Sequence, residues 1–208
     1  AELIEYAMWS SEIDPFDPME KAIHNLYKEI STEEKRTKYE QLHEYPISGK
    51  PPMMTHIFRN NLGDIIIAAK GAPEALIRQS DLTAEEIKAI KKQLQWYSEK
   101  GFRALGVGKG NWNEKNWPAS QEEFRMNFLG LVAFQDPPKP GITQTIKTFE
   151  TAGISVKMLT GDYPETAIAI AKQVQLGNTD KWLTGKDAVE LSSEELRERV
   201  KETDIFAR

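Results

Sequence analysis

The stretch Ile65-Ile66-Ile67-Ala68-Ala69-Lys70-Gly71-Ala72-Pro73-Glu74 joins an apolar run to the start of a helical pattern. The run from 65 to 69 is typical of a buried strand. Pro73 suits the first turn of a helix, where its missing N–H leaves no hydrogen bond unmade. Lys70 and Gly71 therefore lie between a strand end and a helix N-terminus, which are features of an anion or nucleotide site. An ordinary strand–turn–helix junction with a solvated lysine explains the same residues, and both interpretations stay open.

The composition of the 208 residues excludes several classes of protein. With 39% hydrophobic and 28% charged residues, the chain can bury a packed core. Its net charge of -5 disfavours nucleic acid as a partner, and the absence of cysteine excludes disulfides and thiolate catalysis. His24, His43 and His56 lack the spacing of metal ligands, so we predict no metal site. No apolar run approaches the roughly 20 residues of a membrane helix, and we expect a soluble chain.

The first two thirds of the chain predict an antiparallel sheet flanked by helices. Asp17 and Pro18 suit the cap and first position of a helix that ends near Ile30. Extended segments at 41–48, 53–59 and 64–70 follow, with a hairpin signal between the last two.

Further elements continue this pattern up to residue 134. The segments 31–34 and 83–86 resemble capping boxes and predict two helix starts. A strand is expected at 102–107 and an irregular loop at 111–125. The almost wholly apolar segment 127–134 predicts a strand in the centre of the sheet.

A proline-rich connector separates two different patterns of predicted secondary structure. Asp136, Pro137 and Pro138 begin a run with three prolines in six residues, so we place a hinge at 136–140. The prediction is then one domain at 1–135 and another at 141–208. In the second domain a helix, a strand at 154–159, a helix at 164–174 and a strand at 203–207 follow, and such alternation predicts a parallel sheet.

Thr160, Gly161 and Asp162 follow the predicted strand at 154–159. Ligands of open α/β sheets bind at the carboxyl ends of the strands. A hydroxyl, a glycine and a carboxylate at this edge could hold a phosphoryl group or order groups around Mg²⁺. A simple capped helix start explains the same three residues equally well.

Five segments occur in one order along the chain: Lys70–Glu74, Gly101–Arg103, Asp136–Pro138, Met158–Asp162 and Phe206–Arg208. In this order they resemble the large cytoplasmic loop of P-type cation-transporting ATPases, nearest the calcium-pump-like branch. The resemblance covers nearly the whole chain. We therefore expect a piece of a longer membrane protein.

The resemblance implies a fold and an activity. Residues 1–135 would form a nucleotide-binding domain, an antiparallel sheet flanked by helices. Residues 141–208 would be part of a phosphorylation domain with a haloacid-dehalogenase-like parallel sheet. The parent protein would hydrolyse ATP with Mg²⁺ to move a cation across a membrane. Its partners would be ATP and the remaining transmembrane and cytoplasmic domains, and this chain would lie on the cytoplasmic side.

The resemblance also implies the site residues. Lys70 would line the bottom of the ATP pocket, Glu20 would lie near the adenine, and Arg103 would reach the phosphates. The implied nucleotide-binding residues are Glu20, Ile47, Ser48, Lys70, Gly71, Ala72 and Arg103. The implied phosphoryl-contacting residues are Thr160, Gly161 and Asp162. The implied hinge residues are Asp136, Pro137 and Pro138.

The sequence departs from the family pattern at two positions. Ile47 replaces an aromatic residue that stacks on the adenine, and Pro52 replaces a lysine near the nucleotide. A lost stacking ring costs about 1 kcal/mol, so we expect weak ATP binding.

Two family segments are missing from these 208 residues: Asp-Lys-Thr-Gly-Thr, whose aspartate accepts the phosphate, and the Gly-Asp-Gly-Xaa-Asn-Asp segment, which supplies Mg²⁺ ligands. Without the nucleophile, nucleotide binding without turnover is expected. A soluble haloacid-dehalogenase-like phosphatase and a non-catalytic interaction module are the alternatives. Because the parallel sheet would be incomplete, we expect residues after 140 to be less ordered or packed against another copy.

Overall fold

A five-stranded sheet lies in the first part of the chain and a three-stranded sheet in the last part. The computed structural model describes residues 1–31, 33–114, 116–135 and 137–208. The contacts group 1–89 with 104–133 as a first unit, and 90–103 with 134–208 as a second unit. The hinge at 136–140 and the predicted domain limits stay predictions, and Asp136 lies outside the described residues.

The elements that lead to and form the first sheet are α1 Glu2–Trp9, α2 Pro18–Ile30, β1 Tyr39–Ser48, β2 Met53–Asn60, β3 Ile65–Gly71, α3 Pro73–Arg78, α4 Ala84–Glu99, β4 Arg103–Asn111 and β5 Arg125–Phe134. Short 3₁₀ helices cover Lys35–Lys38 and Gln121–Glu123. The remaining elements are α5 Ile142–Thr151, β6 Met158–Leu159, α6 Pro164–Val174, β7 Trp182–Thr184, α7 Gly185–Glu190, α8 Ser193–Glu202 and β8 Ile205–Ala207.

The first sheet has the strand order β1-β2-β3-β4-β5, and the strands from β1 to β4 pair antiparallel. This confirms the fold class predicted for the first part of the chain. The position of β5 differs from the prediction, because β5 lies at the edge of the sheet rather than in its centre. From Phe128 to Phe134 its residues are only half-buried, so its apolar composition does not reflect burial on both faces.

The two faces of this sheet carry different side chains. On one face, Ile57 and Ile67 pack with Leu76 of α3 and with Phe124 and Met126 in a buried core. On the other face, the ring of Trp9 from α1 lies 4.9 Å from that of Phe58. Since successive residues of a strand point to opposite faces, His56 and Lys70 belong to the face covered by α1.

Helix α2 begins as the sequence predicts. The Asp17 side chain accepts hydrogen bonds from the backbone N–H groups of Met19 at 2.8 Å and Glu20 at 3.3 Å, and Pro18 occupies the first helical position. The helix start predicted at 31–34 is wrong in its position. Thr32 lies outside the described residues, while Ser31 caps the end of α2 and the 3₁₀ helix begins only at Lys35.

The second sheet is parallel, with the strand order β6-β8-β7. Its core contains Ile146, Ala167 and Ile205, all at most 5% exposed. The strand predicted at 154–159 is much shorter in the structure, because the N–H of Ile154 donates to the carbonyl of Phe149 and completes the end of α5. The strand predicted near the C-terminus is present as β8, whereas β7 has no counterpart in the prediction. The haloacid-dehalogenase-like character of this unit stays a prediction.

Candidate functional site

Lys70 is a buried cation of the first unit. Its side chain leaves β3 towards the chain that joins α1 to α2, and only 5% of the residue is exposed. The ammonium donates to the Ser10 carbonyl, to Ser11 Oγ at 3.1 Å and to Glu20 Oε1 at 2.6 Å. Glu20 is 8% exposed and forms the ion pair from the first turn of α2. The structure therefore joins two of the predicted nucleotide residues, Lys70 and Glu20.

This cluster has no spare donor. An ammonium group has three N–H donors, and Lys70 directs them at three oxygen acceptors. Burial lowers the pKa of Lys70 below its ordinary value, and the hydrogen bond and charge of Glu20 oppose that shift. A polyphosphate would have to displace one of these acceptors. The ammonium therefore has no donor left for a phosphate unless one of these internal acceptors is displaced.

Gly71 and Ala72 have a structural explanation. A Cβ atom on Gly71 would lie 2.5 Å from Met53 Cα and 2.6 Å from the Pro52 carbonyl oxygen, so the strand pairing itself requires glycine here. The N–H of Ala72 donates to the same Pro52 carbonyl at 2.8 Å. Close packing of β3 against β2 is a sufficient reason for a glycine at this position, and the approach of a ligand to Gly71 stays a prediction.

Ser48 and Gly71 lie in one row across the end of the sheet. The register pairs Ser48 with Met53, Met53 with Gly71, and Gly71 with Gly106. Ser48 Oγ accepts a hydrogen bond of 2.8 Å from the side chain of Gln121, which leaves the hydroxyl proton available for a ligand.

Ile47 precedes this row and is 69% exposed. Pro52 is exposed as well, and its carbonyl accepts the hydrogen bond from the Ala72 N–H. An apolar side chain that is so accessible, next to a serine with a free proton, can meet an apolar ligand ring without any change of the fold.

Arg103 belongs to the second unit and meets the predicted phosphoryl residues there. Its Nε lies 3.0 Å from Asp162 Oδ1, with the arginine side chain 47% and the aspartate side chain 20% exposed. Thr160 Oγ1 donates to Asp162 Oδ2 at 2.9 Å and accepts from the Asp162 N–H at 3.1 Å. The turn is thus fixed by its own side chains, and both carboxylate oxygens have a partner.

A cavity of about 460 Å³ lies at the carboxyl ends of β6, β7 and β8. Thr160 and Gly161 line it from the turn after β6, and Thr184 and Gly185 from the junction of β7 and α7. No heavy atom lies within 4 Å of a Cβ built on either glycine, so the backbone there is open to a ligand. This is the edge at which the sequence predicts phosphoryl binding.

Sequence reasoning missed four residues of these two clusters. Ser10 and Ser11 accept from Lys70, but an isolated serine pair gives no recognisable signal. Gln121 lies in the segment predicted as an irregular loop, yet it is only 3% exposed and binds Ser48. Thr184 was detectable, because Thr184 and Asp187 form a capping box at the start of α7.

The α+β fold of the first unit falls mostly within a segment that is similar in sequence to a known family. The family model described as P-type ATPase, cytoplasmic domain N, matches residues 16–141, which is more than half of the chain. The chain therefore belongs to the P-type ATPase family.

Curated relatives extend the similarity over nearly the whole chain. A calcium-transporting ATPase of Bacillus subtilis is 34% identical over 206 residues, covering 92% of this chain and 23% of the relative. Calcium-transporting ATPase 1 of Lactococcus lactis is 30% identical, with the same coverage of 92% and 23%. A probable cation-transporting ATPase F of Mycobacterium bovis is 30% identical over 186 residues, covering 78% of this chain and 20% of the relative.

The chain spans less than a quarter of the length of these relatives. Within the residues that the structure describes, the helices are too short or too polar to cross a bilayer.

Proposed function

We propose that this chain is the ATP-binding cytoplasmic part of a cation-transporting P-type ATPase of the calcium-pump-like branch. The parent protein would couple ATP hydrolysis to the movement of a cation across a membrane, together with its transmembrane and remaining cytoplasmic domains. The printed names of the relatives from Bacillus subtilis and Lactococcus lactis support the calcium branch. The match of residues 16–141 supports the cytoplasmic location.

The observation that carries this proposal is the buried ion pair of Lys70 and Glu20. Burying two charges is costly unless each is paired and hydrogen-bonded, as Lys70 and Glu20 are. We assign Lys70 and Glu20 to the floor of a nucleotide pocket. Ile47 and Ser48, at the exposed end of β1, would contact the nucleotide from the side.

In the second unit we assign phosphoryl contacts to Thr160, Gly161, Asp162 and Arg103. Thr160 and Gly161 line the cavity at the carboxyl ends of the strands, and Asp162, the next residue, holds the guanidinium of Arg103. Arginine matches the geometry of phosphate oxygens with its planar, always charged donors. The exposed half of the Arg103 side chain leaves donors for such a ligand.

The described residues do not supply a site for Mg²⁺ of their own. The Asp162 carboxylate is engaged by Arg103 and Thr160. The family segment that provides Mg²⁺ ligands does not occur in these 208 residues. We therefore propose nucleotide binding without turnover, since the aspartate that would accept the phosphate is missing too.

A titration with ATP, followed by amide NMR shifts, tests the proposal. We expect saturable shifts around Ile47, Ser48 and Lys70. Replacing Ile47 by phenylalanine restores a ring that can stack on adenine, so Ile47→Phe should tighten binding by about fivefold, which is roughly 1 kcal/mol. Leu62→Phe is the matched control, because Leu62 is 89% exposed on the hairpin between β2 and β3.

Three outcomes contradict the proposal. The first is no saturable shift up to millimolar ATP. The second is equal tightening by Ile47→Phe and Leu62→Phe. The third is Mg²⁺-dependent release of phosphate from a phosphomonoester by this chain, which would favour the soluble phosphatase instead.

A further inference from the structure

Three side chains from separate elements of the first unit meet beside the Lys70–Glu20 pair. They are Glu12 after α1, Glu44 on β1 and His56 on β2, and one ligand atom of each lies within 4.8 Å of the other two. We propose that these three residues bind a divalent transition metal ion of the Zn²⁺ type. None of these three residues is among those assigned to the nucleotide, although Lys70 and Glu20 help to position Glu12.

The sheet register fixes two of the three ligands. Glu44 and His56 are directly opposite each other in the antiparallel pair of β1 and β2. Side chains of such cross-strand partners stand close together on the same face of the sheet. The third ligand follows Ser11, whose hydroxyl is held by Lys70, and the Glu12 N–H lies 3.4 Å from Glu20 Oε2. The ligand positions are therefore built into the sheet and into the contacts of Lys70.

His56 is the observation that points to a ligand. The residue is 0% exposed, and neither of its ring nitrogens has a hydrogen-bond partner of acceptable geometry, although a weaker contact with the Trp9 backbone raises its pKa. A buried polar atom without a partner is unfavourable, so such atoms are rare unless something else satisfies them. A ring nitrogen of His56 lies within 4.8 Å of carboxylate oxygens of Glu12 and Glu44, where a metal ion would satisfy it.

The local charge is favourable as well. Glu12 and Glu44 contribute two carboxylates, and in the described part of the chain neither forms an ion pair. Glu44 accepts only a hydrogen bond of 3.3 Å from Gln41. The nearby ammonium of Lys70 is neutralised by Glu20 at 2.6 Å.

The donor set selects the kind of metal. One imidazole nitrogen and two carboxylate oxygens give three protein ligands, which leaves a fourth position for water on a tetrahedral ion such as Zn²⁺. Mg²⁺ and Ca²⁺ prefer sites made of oxygen alone. Glu44 is exposed and Glu12 is half-exposed, so both side chains can rotate to bring their carboxylate oxygens to the ion. The same exposure gives the ion a path from solvent to the site.

Calorimetry of ZnCl₂ added to chelator-treated protein tests the site, with Co²⁺ absorption as an optical readout of a four-coordinate ion. We expect one ion per chain. Glu44→Gln should weaken binding by at least about tenfold, because it removes a direct ligand. Glu40→Gln is the matched control, since Glu40 is also exposed on β1 and loses the same charge. Its affinity should stay that of the unaltered chain.

Imidazole NMR resonances provide a second readout that does not require a buried substitution. Zn²⁺ should shift the ring nitrogens of His56 and leave those of His24 and His43 in place. The proposal is overturned by the absence of binding, by equal effects of the Glu44 and Glu40 variants, or by shifts confined to His43.

Discussion

At the scale of single residues, Lys70 shows how one side chain serves structure and site together. Its three donors are all used inside the protein, so removing it would leave Glu20 as a buried charge without its ion-pair partner. Breaking a buried pair in this way costs about 3–5 kcal/mol. Loss of ATP binding in a Lys70→Ala variant would therefore report unfolding as readily as a lost contact. Ile47 separates these two effects better, because it is exposed.

Gly71 gives a residue-scale prediction about stability. In Gly71→Ala the new methyl group would overlap with Met53 and Pro52, as close as 2.5 Å to a backbone atom. Overpacking of this kind costs about 1–3 kcal/mol or more, and we expect the urea midpoint to fall accordingly. Gly161→Ala serves as the control, because nothing lies within 4 Å of its Cβ position. Equal midpoints for the two variants would contradict the packing argument.

At the scale of elements, the N-cap of α2 fixes the first helical turn, which contains Glu20. The carboxylate of Asp17 accepts from the N–H groups of Met19 and Glu20. Asp17→Ala should cost about 1 kcal/mol, since it removes an N-cap. Thermal unfolding measures the loss, with Asp14→Ala as a control for the change of charge. A drop of the same size in both variants would show that the charge matters rather than the cap.

The sequence predicts the elements best where local chemistry defines their ends. Asp17 and Pro18 start α2, and Thr83 with Glu86 makes the reciprocal capping contacts of α4. Local patterns failed where long-range contacts decide. The segment 154–157 is apolar enough for a strand, yet Ile154 takes part in the end of α5, so only β6 remains.

The candidate site follows the same division. Lys70 and Glu20 were predicted because their local sequence resembles a known family, and the structure brings them together. The spacing of residues along the sequence could not predict the cluster of Glu12, Glu44 and His56. Its members come from three separate segments and meet only through the register of β1 and β2.

At the scale of the whole molecule, buried histidine makes stability depend on pH. Burial and the nearby charges of Arg36, Lys28 and Lys70 lower the pKa of His24 below 6.5, and Glu20 opposes them. The unfolded chain therefore binds this proton more tightly than the folded chain. The free energy of unfolding should fall as the pH drops through 6.5 towards the lowered value.

Urea unfolding between about pH 7.5 and pH 5.5, with a chelator present, measures this dependence. His24→Gln should reduce the pH dependence of the free energy of unfolding only in part. The contribution of His56 remains, because its pKa is lowered too. His43→Gln is the control, because His43 is exposed on β1. An unchanged slope in the His24 variant would refute the assignment.

Hydrogen exchange should differ between the two sheets. The strands β6, β7 and β8 have only two or three residues each, whereas β1, β2 and β3 have seven to ten. Short strands leave many backbone hydrogen bonds near solvent, so we expect faster amide exchange at Leu159 and Phe206 than at Ile57 and Ile67. Packing of the second unit against another copy would remove the difference, so the mass of the species must be determined alongside. Equally slow exchange in a proven monomer contradicts the prediction.

The tight spacing of β3 against β2 has a consequence for comparing natural variants of this protein. Selection on strand spacing alone is enough to keep position 71 free of any side chain, whether or not a nucleotide ever touches it. An invariant glycine at that position in an alignment would therefore say nothing about ligand contact. Evolutionary evidence for the pocket has to come from accessible positions such as Ile47, where packing does not restrict which side chain can occur.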